Sequence, residues 1–134
     1  FKKKQEIKTW EDLCNAEKRL EGFFISRECG EVFRGSYTKA RDCYRDVFLT
    51  EKEAKSVRAA AMISQLMPYY GGSITNEEWK DYSMRKFAIT RNGNVVHFVE
   101  STRWFYFLAF RTTEQIDDFY KHNEKLVKEY LMID

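Results

Sequence analysis

Between Met84 and Asp134 the chain reads as a β-hairpin, an aromatic strand and a capped amphipathic helix. An Asn92-Gly93 dipeptide separates two alternating apolar runs, the signal of a hairpin with a two-residue type I′ loop. That loop predicts the pairs Arg91–Asn94, Ile89–Val96, Phe87–Phe98 and Arg85–Glu100. Side chains alternate along a strand, so these residues share one face, apolar in the middle and closed by an opposite-charge pair. The other face is mixed and carries Lys86, Ala88, Thr90, Val95, His97 and Val99. A slip of one residue would mix the two sets, so the clean partition supports this register.

The third strand is expected from Trp104 to Phe110. Trp104, Tyr106, Leu108 and Phe110 fall on one side and Phe105, Phe107 and Ala109 on the other, so both faces are apolar. Two readings follow. Helices cover the strand on both sides, or one aromatic row is exposed as a docking surface formed by Trp104, Phe105, Tyr106 and Phe107. The last helix opens at Thr112 or Thr113 and repeats apolar residues at three-four spacing: Ile116, Phe119, Tyr120, Asn123, Leu126, Val127, Tyr130 and Leu131. Its acids lead and its bases trail, as the helix dipole favours.

Upstream the pattern is helical with one break. Thr9 and Asp12 form a capping-box-like start for a helix from Trp10 to about Leu20. The stretch Glu21–Gly35 reads as loop or short strands, with Phe23 to Phe33 able to add a strand beside the meander. A helix is expected from Tyr37 to about Phe48. Thr50 with Glu53 caps the next, Glu51 to about Met67, with Leu49 and Ala54 at hydrophobic-staple spacing. Pro68 and Gly71-Gly72 stop it, and Thr75 with Glu78 starts one or two further turns before Trp79.

A length of 134 residues is enough for one core without disulfides or metal. A single Pro and 6 Gly leave no room for a flexible linker, so one domain, 1–134, is expected. Aromatics are abundant, at 16% with 11 Phe, 8 Tyr and 3 Trp. The net charge of +2 is too small to attract nucleic acid or membrane through the global field. Cys14, Cys29 and Cys43, odd in number and widely spaced, imply a reduced, intracellular setting. No apolar run approaches the roughly 18 to 20 residues of a membrane helix, no signal peptide is apparent, and no membrane partner is expected. Beginning at Phe1 and not at Met, the sequence reads as trimmed at its start.

The run Phe107-Leu108-Ala109-Phe110-Arg111-Thr112-Thr113-Glu114-Gln115 and the closing Asn123-Glu124-Lys125-Leu126-Val127-Lys128-Glu129-Tyr130-Leu131-Met132-Ile133-Asp134 resemble the C-terminal signature of uncharacterised proteins from gut-bacterial (Bacteroides-type) phages and mobile elements. Ile63-Ser64-Gln65, Gly71-Gly72 and Thr75-Asn76-Glu77-Glu78-Trp79 fit the same pattern. The resemblance covers roughly Ala59 to Asp134. It implies a genomic setting, and with it the cytoplasm of a bacterial host, and no particular chemistry.

The residues supply no catalytic constellation. His97 lies mid-strand opposite Ala88 and His122 on the polar side of the last helix, and a Cys–His dyad would lack an orienting third group. The cysteines lack zinc spacing, so no metal or other cofactor is expected. Gly71-Gly72 follows a helix end and reads as a C-cap, not as a phosphate loop. Glu6-Ile7-Lys8 and Glu53-Ala54-Lys55 match half of a nuclease metal motif, but such triplets are common in charged chains. Nucleic-acid binding would use basic helices at 37–67 and an N-terminal arm: Lys2, Lys3, Lys4, Arg41, Arg45, Lys52, Lys55 and Arg58. Asp42, Asp46, Glu51 and Glu53 interleave with them, and residues 1–58 hold only 14 Lys and Arg against 11 Asp and Glu.

The expected architecture is therefore α+β: N-terminal helices, a three-stranded antiparallel meander, and a C-terminal amphipathic helix packed on the sheet. The expected function is a non-enzymatic module binding a protein partner, a second copy of itself included, with a nucleic-acid accessory role as the alternative.

Overall fold

In the computed structural model the residues described are 8–9, 11–12, 20–25, 30–37 and 47–134. The chain forms two compact units, Phe1–Lys55 and Ser56–Asp134. Their boundary falls inside a helix, which is why no Pro- or Gly-rich composition marks it.

In the first unit, β1 (Leu20–Ile25), β2 (Val32–Tyr37) and β3 (Val47–Phe48) form an antiparallel sheet of order β2-β1-β3. The aromatic stretch from Phe23 to Phe33 thus makes strands of its own sheet and does not extend the later hairpin. The helix expected over Trp10–Leu20 is present at Glu11 and Asp12, while Leu20 already belongs to β1. Its start is capped as predicted: Asp12 N–H donates to Thr9 Oγ1 at 3.0 Å, and Thr9 N–H donates to the Asp12 carboxylate at 3.1 Å. The helix expected over Tyr37–Phe48 has strand at both ends, Tyr37 in β2 and Val47–Phe48 in β3. The remainder of both segments lies outside the described residues.

Helix α1 (Glu51–Leu66) starts at the predicted cap, where Glu53 N–H donates to Thr50 Oγ1 at 3.1 Å and the Thr50 hydroxyl donates to the Glu53 carboxylate at 2.8 Å. The expected staple is absent, because Leu49 is exposed while Ala54 is buried. Pro68 fits the start of a 3₁₀ turn, Met67–Tyr70, and Gly71 ends it at φ +77°. That is a left-handed conformation which glycine adopts without a Cβ clash. Helix α2 (Asn76–Lys80) begins with a complete Thr75–Glu78 capping box.

Strands β4 (Lys86–Asn92) and β5 (Val95–Ser101) form the predicted hairpin with a different register. Asn92 pairs with Val95, Ile89 with Phe98 and Phe87 with Glu100, two residues away from the expected pairs on one strand. The loop is Gly93-Asn94, and of these only Gly93 has a positive φ, +59°. This is the pattern of a type II′ turn, which takes Gly first, and not of type I′. Arg91 holds the loop by donating to Gly93 O at 2.6 Å and to Asn94 Oδ1 at 3.2 Å. A shift of two conserves side-chain parity, so the face memberships stand although the partners change.

The third strand, β6 (Ala109–Phe110), is two residues long and pairs with β4, giving the order β5-β4-β6. The sheet is three-stranded and antiparallel, but its third strand returns beside the first and does not continue a meander. After β5 the Ser101 hydroxyl accepts the N–H groups of Arg103 (3.3 Å) and Trp104 (2.9 Å), a turn that bends the chain away. Sheet bonding resumes only where Ile89 N–H donates to Leu108 O at 2.9 Å.

Helix α3 (Thr113–Tyr130) starts with a Thr112–Gln115 capping box and packs on this sheet. Ile116, Phe119 and Val127 face a core shared with Ile63, Met67, Ile89, Leu108 and Phe110. Burying each such side chain is worth about 1.5–3 kcal/mol. The helix kinks at Asn123 (φ −133°, ψ 27°). There the Asn123 amide donates to Phe119 O at 3.1 Å, taking the carbonyl that the helical N–H would otherwise use.

Candidate functional site

The aromatic segment 104–107 leaves the sheet, and its exposure follows from that departure. Trp104 and Phe105 are each 71% exposed and Phe107 is at 36%, while Tyr106 is half-buried and Leu108 turns into the core. The Ser101 turn lifts the segment over α2, where the Phe105 ring lies 5.1 Å from that of Trp79. Arg103 stands 5.3 Å over the ring of Tyr82, itself exposed. Phe107 leans the other way, 5.4 Å from Tyr130 of α3.

Between these rings is a cavity of ≈ 200 Å³ lined by Ser64, Met67, Ser73, Ile74, Trp79, Phe105, Tyr106 and Phe107. Small-molecule sites usually enclose about 300 Å³ or more and add convergent polar groups. This cavity is smaller and its walls are mainly apolar, dimensions suited to a side chain of a partner. A larger open hollow of ≈ 600 Å³ along α3 is lined by Lys121, His122, Glu124, Lys125, Lys128, Glu129, Ile133 and Asp134, side chains that solvate a helix surface.

Two polar devices hold the walls in place. Lys86 is 1% exposed and donates through Nζ to Asp81 O (2.7 Å) and Thr102 O (3.2 Å), with Trp79 5.5 Å away. It ties the turn after α2 to the end of β5. Its position on the mixed face of the hairpin gave no sign of burial, because its partners are backbone carbonyls and have no sequence signature. The second device is Arg111, just past β6. Its guanidinium donates to Gly71 O (2.6 Å), Gly72 O (2.9 Å) and both carboxylate oxygens of Glu78, with Nε–Oε2 at 2.7 Å. Hydrogen bonds from Arg111, aided by the Thr75 N–H, lower the Glu78 carboxyl from 4.5 to about 2. Since Glu78 immediately precedes Trp79 and Gly72 precedes Ser73 and Ile74, this clamp positions one wall of the cavity.

The nucleic-acid candidates are distributed differently. Lys2, Lys3, Lys4, Arg41 and Arg45 lie outside the described residues. Lys55 pairs with Glu51 at 2.9 Å and Arg58 with Glu129 at 3.3 Å, while Lys52 is exposed. Of the triplets weighed for nuclease chemistry, Glu53-Ala54-Lys55 has Glu53 at the α1 cap, and the other lies largely outside the described residues.

His97 is exposed and faces Thr90, not Ala88. His122 Nδ1 lies 2.9 Å from Asp118 O and 3.3 Å from its carboxylate. The three cysteines are outside the described residues. Among the described residues no three His, Cys, Asp or Glu side chains gather as a metal site, and no helix is long and apolar enough to cross a membrane. Comparison with known proteins returns no match: no family model fits the sequence, and neither a curated protein nor a solved structure is similar to it.

Proposed function

We propose that the chain is a non-enzymatic protein-interaction module of a phage or mobile element, acting in the cytoplasm of the bacterial host and docking a protein partner through Trp104, Phe105, Tyr106 and Phe107. The observation that carries this reading is the exposure of two adjacent aromatic side chains, Trp104 and Phe105, each 71% exposed, the second of which lines a small apolar cavity with Tyr106 and Phe107. Exposed apolar clusters mark interaction sites, and buried aromatics supply most hot-spot energy in interfaces. Burying the two rings would contribute about 3–6 kcal/mol at roughly 1.5–3 each. The resemblance of residues 59–134 to phage and mobile-element proteins supplies the setting.

The test places a photo-cross-linking phenylalanine analogue at Trp104 in the full chain inside a candidate host. A docking surface yields one dominant cross-linked protein, lost when Phe105→Ser is added and retained when Tyr69→Ser is added; Tyr69 is 86% exposed and does not line the cavity. Unchanged thermal unfolding of the Ser variants would exclude misfolding as the cause. No dominant protein, or one captured equally by all variants, would remove the reading.

A further inference from the structure

The hairpin register decides which backbone groups of β5 point out of the sheet. Asn92 and Val95 flank a two-residue loop and therefore form a hydrogen-bonded pair, after which bonded and non-bonded pairs alternate. Val96, Phe98 and Glu100 sit in the non-bonded pairs opposite Arg91, Ile89 and Phe87. Their N–H and C=O groups are directed away from β4. The bond from Ile89 N–H to Leu108 O, on the other side of β4, fits the same alternation. Since β5 is the edge of the sheet, no strand among the described residues pairs with those groups.

Natural edge strands are usually shielded by shortness, a bulge, a Pro or a charged side chain, Lys above all; the one charge on β5, Glu100, is paired with Arg85 of its own hairpin. This one runs seven residues in unbroken register without Pro, Lys or bulge, and Val95 and Phe98 are 66% and 45% exposed. We infer that β5 pairs with β5 of a second copy of this chain, antiparallel about a two-fold axis at Phe98, to make one continuous six-stranded sheet.

Two features favour a second copy over an unrelated peptide. Centred on Phe98, the pairing sets Phe98 opposite itself and Val96 opposite Glu100 of the mate. Every outward N–H then meets an outward C=O, in about six inter-chain bonds, and each face continues into the same face of the mate. Charge agrees as well. Phe98 touches Tyr120 of α3, ring centroids 5.2 Å apart, and Tyr120 stands where the helix changes from acidic (Glu114, Asp117 and Asp118, with no base) to slightly basic (Lys121, Lys125 and Lys128 against Glu124 and Glu129). A two-fold axis at that level sets the acidic half of one α3 toward the basic half of the other, as self-complementary interfaces require.

The experiment combines sedimentation equilibrium with amide hydrogen exchange on the full chain. The dimer predicts a concentration-dependent mass reaching twice that of the monomer and slow exchange at Val96, Phe98 and Glu100, whose amides exchange rapidly in a monomer. Val96→Pro removes an outward N–H without touching the ladder to β4. His97→Asp, on an exposed side chain, introduces like charges across the axis. Val96→Pro raises the dissociation constant about tenfold or more, a change of about 1.4 kcal/mol, and His97→Asp raises it about two- to fivefold, as exposed like charges do. His97→Asp preserves the test if the proline variant fails to fold. A monomer at all concentrations overturns the inference. So does a dimer whose Val96, Phe98 and Glu100 amides exchange freely, or protection of those amides only in the presence of host protein. None of these outcomes depends on what docks at Trp104.

Discussion

All three nitrogens of the Arg111 guanidinium have oxygen partners, and two of them reach the same carboxylate. Bidentate pairs of this kind are stronger than single charge-assisted bonds, and the side chains here are only 33% and 24% exposed. The Glu78 carboxyl, lowered to about 2, fixes the sign of its pH dependence. Its folded pKa lies below the unfolded value of 4.5, so its contribution is fully present above about pH 4.5 and is lost as pH falls toward 2. After allowing for solvent screening the contribution is about 1 to 2 kcal/mol. Urea unfolding of the parent chain and of Glu78→Gln should differ by that amount at pH 7 and converge between pH 4.5 and 2. A gap independent of pH would show that the loss comes from the cap geometry alone. Asp12, Asp81 and Glu100 are also lowered by hydrogen bonds, the last mainly by Arg85, so the comparison with the variant is needed to isolate Glu78. The sequence showed Glu78 only as a cap partner of Thr75, because Arg111 is 33 residues further on and distant pairs leave no local pattern.

Elements were legible where their cause was local. The Thr9–Asp12, Thr50–Glu53 and Thr75–Glu78 caps each depend on residues three apart, and all three form. The hairpin faces were legible because parity alone sets them. Its pairing was not, since that turned on which residue next to Gly93 entered the loop. The strand expected at Trp104–Phe110 forms only at Ala109–Phe110, for a different reason: an aromatic run looks the same whether it pairs in a sheet or wraps over a helix, and the Ser101 hydroxyl turns its first part to the second. Two glycines that end elements make a test at this scale. Gly71 and Gly93 both have positive φ, so alanine at either costs about 1 kcal/mol or more in backbone strain. A Cβ on Gly93 would meet nothing within 4 Å, whereas one on Gly71 would lie 2.1 Å from Gln115 Nε2, in the side chain that caps α3. Gly71→Ala should therefore lose about 2 kcal/mol more than Gly93→Ala in thermal or urea unfolding. Equal losses would mean that Gln115 moves aside freely.

For the whole molecule, antiparallel sheets and helices in an α+β arrangement could be read from periodicity, whereas strand order could not. Placing β6 beside β4 leaves β5 at the edge, and nothing in the alternation of β5 distinguishes an edge from a centre. The aromatic segment could be named from its composition, but its exposure depends on a turn and on α2, which only the folded chain brings under it. The Arg111 clamp has one further effect. It joins backbone at Gly71 and Gly72 to a residue 39 to 40 positions later, a loop whose closure entropy must be met before the bond gains anything. We predict on this ground that the contact forms after the folding barrier is crossed. Arg111→Met should accordingly leave the refolding limb of a stopped-flow chevron in place and raise the unfolding rate, about tenfold for each 1.4 kcal/mol lost. A slowed refolding limb would instead put the clamp in the folding nucleus. With a late-forming clamp, the lifetime of the wall beneath Trp79 is set by how fast Arg111 lets go, and a partner seated there would be released on the same clock.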